Sequence, residues 1–262
     1  MAVLIQSPPI VHQVPRRSVP RRNSGRARLL FWRLAATAVT LALVAVLSAI
    51  AYLASLPSVA DAQTRVAALL AQHGGVPAAT APIRVAEATV AVEDHRFYLH
   101  HGIDSLGLLR AAWDLATTGS PHGGATITEQ LAQALYSAND NSVQAHLEKA
   151  GLALKLEQHY SKQEILTMYL NSVYYGDGQW GIVQASHTFF GVAPTALSWG
   201  EASMLAGLPN APSAYDPLHH YALARERQRL VLIALVNNGT LSRAAAAATY
   251  AQPPHLAAGR AG

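Results

Sequence analysis

Two adjacent carboxylates, Glu93 and Asp94, stand in the part of the chain richest in groups that can do chemistry. A helix running to about His100 would place that ring, Arg96 and Phe97 on the same face as Glu93, at about 100° per residue. A carboxylate shielded by an aromatic ring has a raised pKa and can act as a general base, provided that Arg96 does not pair with it. A Glu-Asp pair is also typical of a solvated helix face, so both interpretations stand here.

A second stretch opens with the glycine pair Gly123 and Gly124 and continues through Thr126, Thr128 and Gln130. A helix that begins after such a turn exposes backbone N–H groups, which favour anions such as phosphate. An ordinary capped helix after a loop has the same pattern.

A third stretch places Asn171 near the end of a predicted helix, followed by a loop that contains Tyr174 and Gly176. Loops rich in aromatic residues and glycine often line sugar or lipid sites, and tight aromatic packing is the alternative. The twelve histidines are scattered and cysteine is absent, which excludes thiolate zinc sites and cysteine nucleophiles. We expect no metal site in the sequence.

The elements that must position these residues begin with an apolar segment at residues 34–56, which carries no charged residue. At about 1.5 Å per residue it covers about 34 Å, enough to cross a hydrocarbon core of ~30 Å. Seven arginines precede it and no acid does, so the positive-inside rule places residues 1–33, a basic disordered arm, in the cytoplasm. A signal peptide cleaved near Ala60-Asp61-Ala62 is the alternative, and the length of the apolar run favours the uncleaved anchor.

The charge of the chain is concentrated in that arm. Without its arginines, 12 basic residues stand against 15 acidic ones, so a nucleic-acid partner is not expected. The chain is 262 residues long and 51% hydrophobic, which suits one globular domain. We assign residues 57–83 to a stalk or linker, 84–250 to the domain and 251–262 to a tail.

Apolar residues recur at helical spacing throughout the domain, which predicts a mainly α fold. Capping-box patterns predict three helix starts, at Thr126-x-x-Glu129, Ser161-x-x-Glu164 and Ser198-x-x-Glu201. A long helix is predicted from near Tyr221 to a stop at residues 237–239, and a short one after Ser242. Residues 105–116 are apolar on nearly all sides, which suits either a helix in the membrane interface, with Trp113 at headgroup depth, or a buried helix.

At these residues the sequence resembles glycosyltransferase family 51, the peptidoglycan glycosyltransferases. The first motif is carried by Glu93, Asp94, Phe97, His100, Gly102 and Asp104. The second is carried by Gly123, Gly124, Thr126, Ile127, Thr128 and Gln130. The fourth and fifth are carried by residues 161–182 and 201–217.

The resemblance implies a lysozyme-like, two-lobed helical domain outside the bacterial cytoplasmic membrane that polymerises lipid II into glycan strands, with inversion at the anomeric carbon. Glu93 would take the proton from the acceptor 4-hydroxyl, and Asp94 would support it. No cofactor is required, and assistance by Mg²⁺ or Mn²⁺ is left open. Partners would be lipid II, the growing strand, membrane lipids and other cell-wall synthesis proteins. The implied substrate-binding set is Phe97, His100, Gly102, Arg110, Gly123, Gly124, Thr126, Thr128, Gln130, His146, Lys149, Asn171, Tyr174 and Gly176.

The sequence departs from the family pattern where phosphate is handled. The second motif has Ala125, Glu129 and Gln133 in place of a serine, a glutamine and a lysine. The third motif has Ala145 and His146 in place of an Arg-Lys pair, and Lys149 in place of the second glutamate. On a helix these three positions would look into the same space, with Glu148 about 100° away. We hypothesise that Lys149 replaces the lost bases as the pyrophosphate clamp.

Three functions are compatible with this pattern. The first is an active membrane-bound glycosyltransferase, and the second is a catalytically impaired lipid-II-binding or scaffold relative. The third is a lysozyme-type hydrolase, which needs a second suitably spaced carboxylate.

Overall fold

The computed structural model describes residues 24–107, 109, 113, 117, 125–137 and 142–257. Within these residues all regular secondary structure is helical, and the one β-type contact is an isolated antiparallel bridge between Tyr174 and Trp180. The predicted mainly α fold is confirmed. The chain divides into two compact units, Met1–Ala51 and Tyr52–Gly262.

The first unit is dominated by helix α1, Ser24–Ser55. The sequence analysis extended a disordered arm to residue 33, whereas the structure begins the helix at Ser24. The end of that arm is helical because its last residues run into the apolar segment without a helix-breaking residue. Residues Arg28–Ser55 are long and apolar enough to cross a membrane, by length and composition.

The second unit contains the remaining helices and three short 3₁₀ turns. The helices are α2 Ala62–Gln72, α3 Ile83–Glu93, α4 Ile127–Tyr136, α5 Val143–His159, α6 Lys162–Ser172, α7 Ile182–Phe190, α8 Trp199–Gly207, α9 Tyr221–Asn237 and α10 Arg243–Ala251. The 3₁₀ turns are Phe97–Leu99, Pro194–Ala196 and Leu208–Asn210. Helix α3 packs against α8 and α9, and α4 packs against α5 and α6.

All three predicted capping boxes are present. In each, the hydroxyl of the cap residue accepts from the backbone N–H of the glutamate three residues later, and that glutamate accepts from the backbone N–H of the cap residue. The long helix and the short helix after Ser242 also begin where the sequence predicts. The four starts with side-chain caps, at Thr126, Ser161, Ser198 and Ser242, were predictable because each cap depends on contacts within three residues.

The segment assigned to a stalk, residues 57–83, is instead packed into the domain. Its apolar residues Ala62, Val66 and Leu70 recur every four positions in α2 and are buried in the main core. The hydroxyls of Tyr136 and Tyr160 donate to the carbonyl of Val59 at 3.4 and 3.0 Å. The ordered unit therefore begins close to the end of α1, well before residue 84.

The apolar stretch 105–116 is described only in part. Its described residues include Leu106, Leu109 and Trp113, which expose 51, 68 and 70% of their surface. This exposure favours the membrane-interface interpretation over a buried helix. Arg110, a predicted substrate-binding residue in this stretch, lies outside the described residues.

Candidate active site

Helix α3 ends at Glu93, and Asp94 is its C-cap. The prediction of a helix running to about His100 is therefore wrong, and Phe97 begins a 3₁₀ turn instead. Arg96 is directed at Asp104 and not at Glu93. The distance from its Nε to Oδ1 of Asp104 is 3.3 Å. The helix stops because the side chain of Asp94 is held by partners outside its own helix.

Asp94 is a buried carboxylate, and both of its oxygens have hydrogen-bond partners. Its oxygens lie 2.9 and 3.0 Å from Nε2 of His100, and Oδ2 accepts from the backbone N–H of Ile127 at 3.1 Å. Ile127 is the first residue of α4, where orphan N–H groups favour a negative charge. Asp94 and His100 thus join the end of α3 to the start of α4, and the support of Glu93 by Asp94 stays a prediction.

Glu93 faces different surroundings from its neighbour. Its side chain is 12% exposed, Gln130 Nε2 donates to Oε2 at 3.1 Å, and Arg227 Nη2 lies 3.4 Å from Oε1. Burial raises the pKa of Glu93 above its ordinary value, Gln130 and Arg227 oppose this, and the charge of Asp94 adds to it. A carboxylate of this kind is a stronger base than an exposed one.

The orientation of the Gln130 amide is fixed from its other side. The hydroxyl of Tyr169 donates to Gln130 Oε1 at 3.0 Å, which leaves the amide N–H₂ directed at Glu93. Burial and the charge of Glu93 raise the pKa of Tyr169 well above its ordinary value, so it stays protonated and donates. Tyr169 was not among the predicted site residues.

Four predicted substrate-binding residues hold the surrounding scaffold. Phe97 is fully buried, with Lys162 Nζ 4.3 Å above its ring. Thr126 caps α4 and donates to the carbonyl of Gly102 at 2.7 Å, and Thr128 donates to Glu157 at 2.6 Å. Gly102 has a φ of 95°, and a Cβ there would lie 2.9 Å from the backbone of Ala153. Direct contact of these four residues with substrate stays a prediction.

The positions that depart from the family pattern meet on α4 and α5. Lys149 is buried, and its Nζ donates to Gln133 Oε1 at 3.3 Å. His146, one turn earlier on α5, is exposed, whereas Ala145 is buried. Two positions that depart from the family pattern, Gln133 and Lys149, are therefore in contact. A lysine stands at the second position, where the family has a glutamate. Gly123 and Gly124 lie outside the described residues.

A cavity of about 580 Å³ lies beside these groups. Gln130 and Gln133 line it from α4, Tyr169 lines it from α6, and Tyr174 and Trp180 line it from the following loop. Gly176 lies in that loop with a φ of 97°, and a Cβ there would lie 2.8 Å from the carbonyl oxygen of Pro212. The cavity thus reaches the partners of both Glu93 and Lys149.

Two larger cavities lie elsewhere in the same unit. One of about 1310 Å³ lies between α8 and residues 249–256, and one of about 720 Å³ lies among α2, α3 and α6. The second includes Asn171, whose amide forms two 2.9 Å hydrogen bonds with the backbone of Ala78. Asn171 therefore holds the segment before α3, and its contact with substrate stays a prediction.

Among the residues that the structure describes, one group has the donor types and spacing of a metal site. Ligand atoms of Asp177, Asp216 and His219 lie within 4.8 Å of one another, and His219 Nδ1 is 3.1 Å from Asp216 Oδ2. No local sequence pattern indicates this group, because its members come from two separate loops. Assistance by Mg²⁺ or Mn²⁺ stays a prediction.

Arg227 is the functional residue that sequence reasoning missed most clearly. It lies on α9 between Arg225 and Arg229, and at about 100° per residue it points away from the face that those two share. Its Nε donates to the carbonyl of Gly207 at 3.2 Å, which directs the guanidinium at Glu93. Only the packing of α3 against α9 brings the two together.

A helical domain with a largely buried carboxylate near a cavity lined by amides, hydroxyls and aromatic rings is compatible with an enzyme that acts on sugars. The family model described as Transglycosylase matches residues 60–236, so the chain belongs to this family. This confirms the resemblance and the class of enzyme, a peptidoglycan glycosyltransferase.

The chain is similar to Cupriavidus necator H16_A0665, a transglycosylase by name, with 39% identity over 76% of this chain and 86% of the relative. It is 40% identical to penicillin-binding protein 1F of Bacillus subtilis over 62% of this chain and 23% of that protein. A crystal structure of penicillin-binding protein 1A from Haemophilus influenzae matches with 26% identity and a TM-score of 0.35, over 50% of this chain and 16% of that one. The chain thus spans about a quarter or less of the penicillin-binding proteins it matches.

Proposed function

We propose that this protein polymerises lipid II into glycan strands, with inversion at the anomeric carbon and release of undecaprenyl pyrophosphate. The observation that carries the proposal is the geometry of Glu93. It is largely buried, its pKa is raised, and Gln130 and Arg227 hold its two oxygens. This is the environment that a general base at the end of a substrate cavity needs.

In the proposed step, Glu93 takes the proton from the 4-hydroxyl of the acceptor sugar. The freed oxygen attacks the anomeric carbon of the donor from the face opposite the pyrophosphate, and the bond from that carbon to the pyrophosphate oxygen breaks. The new C–O bond extends the strand by one disaccharide. The proton stays on Glu93 until solvent removes it, and the electron pair leaves with the pyrophosphate.

Charge that develops on the pyrophosphate needs a nearby cation. We assign this role to Lys149, with Gln133 holding its ammonium group and His146 one turn away on the same helix. The proposal requires no cofactor. A divalent ion can assist a diphosphate leaving group, so Mg²⁺, Mn²⁺ and chelator conditions belong in the assay.

The proposed location is the outer face of the bacterial cytoplasmic membrane. Residues Arg28–Ser55 have the length and composition of a membrane span, and the arginines precede the apolar segment. The N-terminus would lie in the cytoplasm and the domain outside, in contact with membrane lipids. Other cell-wall synthesis proteins are the proposed partners, and no nucleic acid is.

A catalytically impaired lipid-II-binding relative is the second candidate, and the replacement of an acid by Lys149 favours it. The hydrolase alternative fits the structure less well. It needs a second free carboxylate, and Asp94 is already held by His100 and the start of α4.

The deciding experiment uses the full chain in detergent with labelled lipid II. Polymer from the wild type and none from Glu93→Gln would establish a transferase with Glu93 as its base. Saturable binding of lipid II by both proteins, without polymer from either, would establish the impaired relative instead. Release of soluble muropeptides from finished strands would show a hydrolase.

A further inference from the structure

The loop after α6 is a tight hairpin that fixes two aromatic rings. The backbone N–H of Tyr175 donates to the carbonyl of Gln179 at 2.9 Å, and that of Gly181 donates to the carbonyl of Val173 at 2.9 Å. At the tip, Gly176, Asp177 and Gly178 all have positive φ values, as such a turn requires. Tyr174 and Trp180 face each other across the hairpin as an antiparallel bridge pair.

The ring of Trp180 contacts two other aromatic rings. The ring of His73, at the end of α2, stacks on it with centroids 4.6 Å apart and an interplanar angle of 12°. The ring of Tyr174 lies 5.1 Å away with a tilt of 39°, and its hydroxyl accepts from the N–H of Gly178. Gln184 ties the end of α2 to α7 through the carbonyl of Gly74 at 2.7 Å. The aromatic pair is therefore rigid before any ligand arrives.

Tyr174 and Trp180 line the 580 Å³ cavity, whereas His73 is exposed and does not line it. The described residues that line this cavity carry amides, hydroxyls, apolar groups and aromatic rings, and no charged side chain. Such a surface does not suit a diphosphate, which needs cations. It suits a neutral sugar, whose hydroxyl and acetamido groups bind amides and whose C–H faces pack on aromatic rings.

The two glutamines of α4 set the direction of a bound substrate. Gln130 lines the cavity and donates to Glu93, and Gln133 lines it and accepts from Lys149. A donor whose diphosphate lies near Lys149 would have its anomeric carbon near these amides. Its remaining sugars would extend toward the hairpin.

We propose that Tyr174 and Trp180 form a sugar-stacking wall that holds the sugar units of the growing strand, with His73 as a positioning residue behind Trp180. This inference rests on the proposed function. Losing the wall would weaken the grip on the strand between additions, so strands would be released earlier.

A binding experiment tests the wall without requiring turnover. The probe is chitotetraose, an uncharged tetramer of N-acetylglucosamine, titrated into the full chain in detergent and followed by calorimetry. Trp180→Ala should weaken its binding about fivefold, Trp180→Phe less than twofold, and His73→Ala by an intermediate factor. Trp199→Phe, a tryptophan outside this cavity, should match the wild type. Thermal unfolding checks that each variant is folded.

The inference would be overturned if Trp180→Ala bound chitotetraose as tightly as the wild type does. It would also be overturned if the wild type did not bind chitotetraose, or if Trp199→Phe weakened the binding as much as Trp180→Ala does. If Trp180→Ala does not fold, Trp180→Phe and His73→Ala decide, and wild-type affinity in both would count against the wall. Inorganic pyrophosphate provides the reverse control, because Lys149→Met should weaken its binding while the Trp180 variants should not.

Lipid II polymerisation separates this inference from the proposed function. With an active wild type, Trp180→Ala should give strands at least twofold shorter on average, and unchanged lengths would overturn the wall alone. A wild type that makes no polymer would overturn the proposed transferase. The chitotetraose titration would still decide whether the cavity binds sugars.

Discussion

The two ends of the candidate active site are built differently. At the base end, Glu93 is held by Gln130 at 3.1 Å and by Arg227 at 3.4 Å, and Tyr169 fixes the glutamine from behind. At the cation end, Lys149 has one described hydrogen bond, to Gln133 at 3.3 Å, and both residues depart from the family pattern. In the proposed mechanism, the chain keeps the family's residues at the proton-transfer end and departs from them at the end that handles the pyrophosphate charge.

The largest expected effect belongs to the base end. Glu93→Gln keeps the size of the side chain and its burial but removes the proton acceptor, so polymerisation should fall about 10²- to 10⁴-fold. The measurement is the initial rate of lipid II consumption. Glu87→Gln, on the same helix and outside the site, is the matched control and should keep the wild-type rate. An active Glu93→Gln variant would remove the base from the mechanism.

The cation end comes next. Lys149→Met keeps the aliphatic length and removes the charge, so turnover should fall about 10²-fold, as when one donor to a developing anion is removed. Glu148→Gln, one residue away and about 100° around α5, should have little effect. A Lys149→Met variant with full turnover would show that the leaving group is stabilised elsewhere.

The exchange of residues at this end can also be reversed. The double variant Gln133→Lys with Lys149→Glu restores the family's lysine and glutamate at two positions that touch each other. It should be at least as active as Lys149→Met and at least as stable as the wild type, because the double variant replaces a neutral amide and a cation with a pair of opposite charge. Lower activity than that of Lys149→Met would show that the cation works only from α5.

Arg227 offers a smaller and more selective test of the base end. Its contact with Glu93 is long, so Arg227→Met should lower kcat about tenfold, and Arg227→Lys should recover part of the loss. Removal of the guanidinium also raises the pKa of Glu93 further, so the rising limb of the pH–rate profile should move to higher pH. Arg229→Met, exposed on the same helix, should leave the profile unchanged. A drop in kcat without this shift would mean that Arg227 only supports the fold.

The same contrast separates what the sequence could predict from what it could not. The capping box of Thr126 and Glu129 lies within one helical turn, and the local pattern predicted it correctly. The partners of Glu93 come from α4 and α9, and no local pattern indicates which face of a distant helix will pack there. Asp94 illustrates the same limit, because α3 ends where this side chain accepts from the backbone N–H of Ile127 on α4, a distant partner that local spacing does not indicate.

The stalk was misjudged for a related reason. The spacing of Ala62, Val66 and Leu70 is helical, but it does not show whether the apolar face meets the domain or remains free. The structure buries that face, and the hydroxyls of Tyr136 and Tyr160 bind the backbone just before it. The sequence thus indicated the helical spacing of α2, but it did not indicate that the helix packs into the domain.

The smallest expected effect concerns stability, and its sign follows from the environment of Glu93. Burial raises the pKa of Glu93 in the folded state, so the folded protein binds this proton more tightly than the unfolded chain does. The stability that the protonated carboxyl contributes is complete below the unfolded pKa and is lost as pH rises through the folded one. The glutamine of Glu93→Gln does not titrate, so that variant loses no stability from this position as the pH rises.

The thermal midpoint of Glu93→Gln, measured relative to the wild type, should therefore rise between pH 4 and pH 7. For a domain of this size, one kcal/mol corresponds to about 2–4 °C in the midpoint. A difference that stays constant with pH, or that falls, would mean that Arg227 and Gln130 outweigh the cost of burying the charge. Such a result would contradict the raised pKa on which the assignment of Glu93 as the base depends.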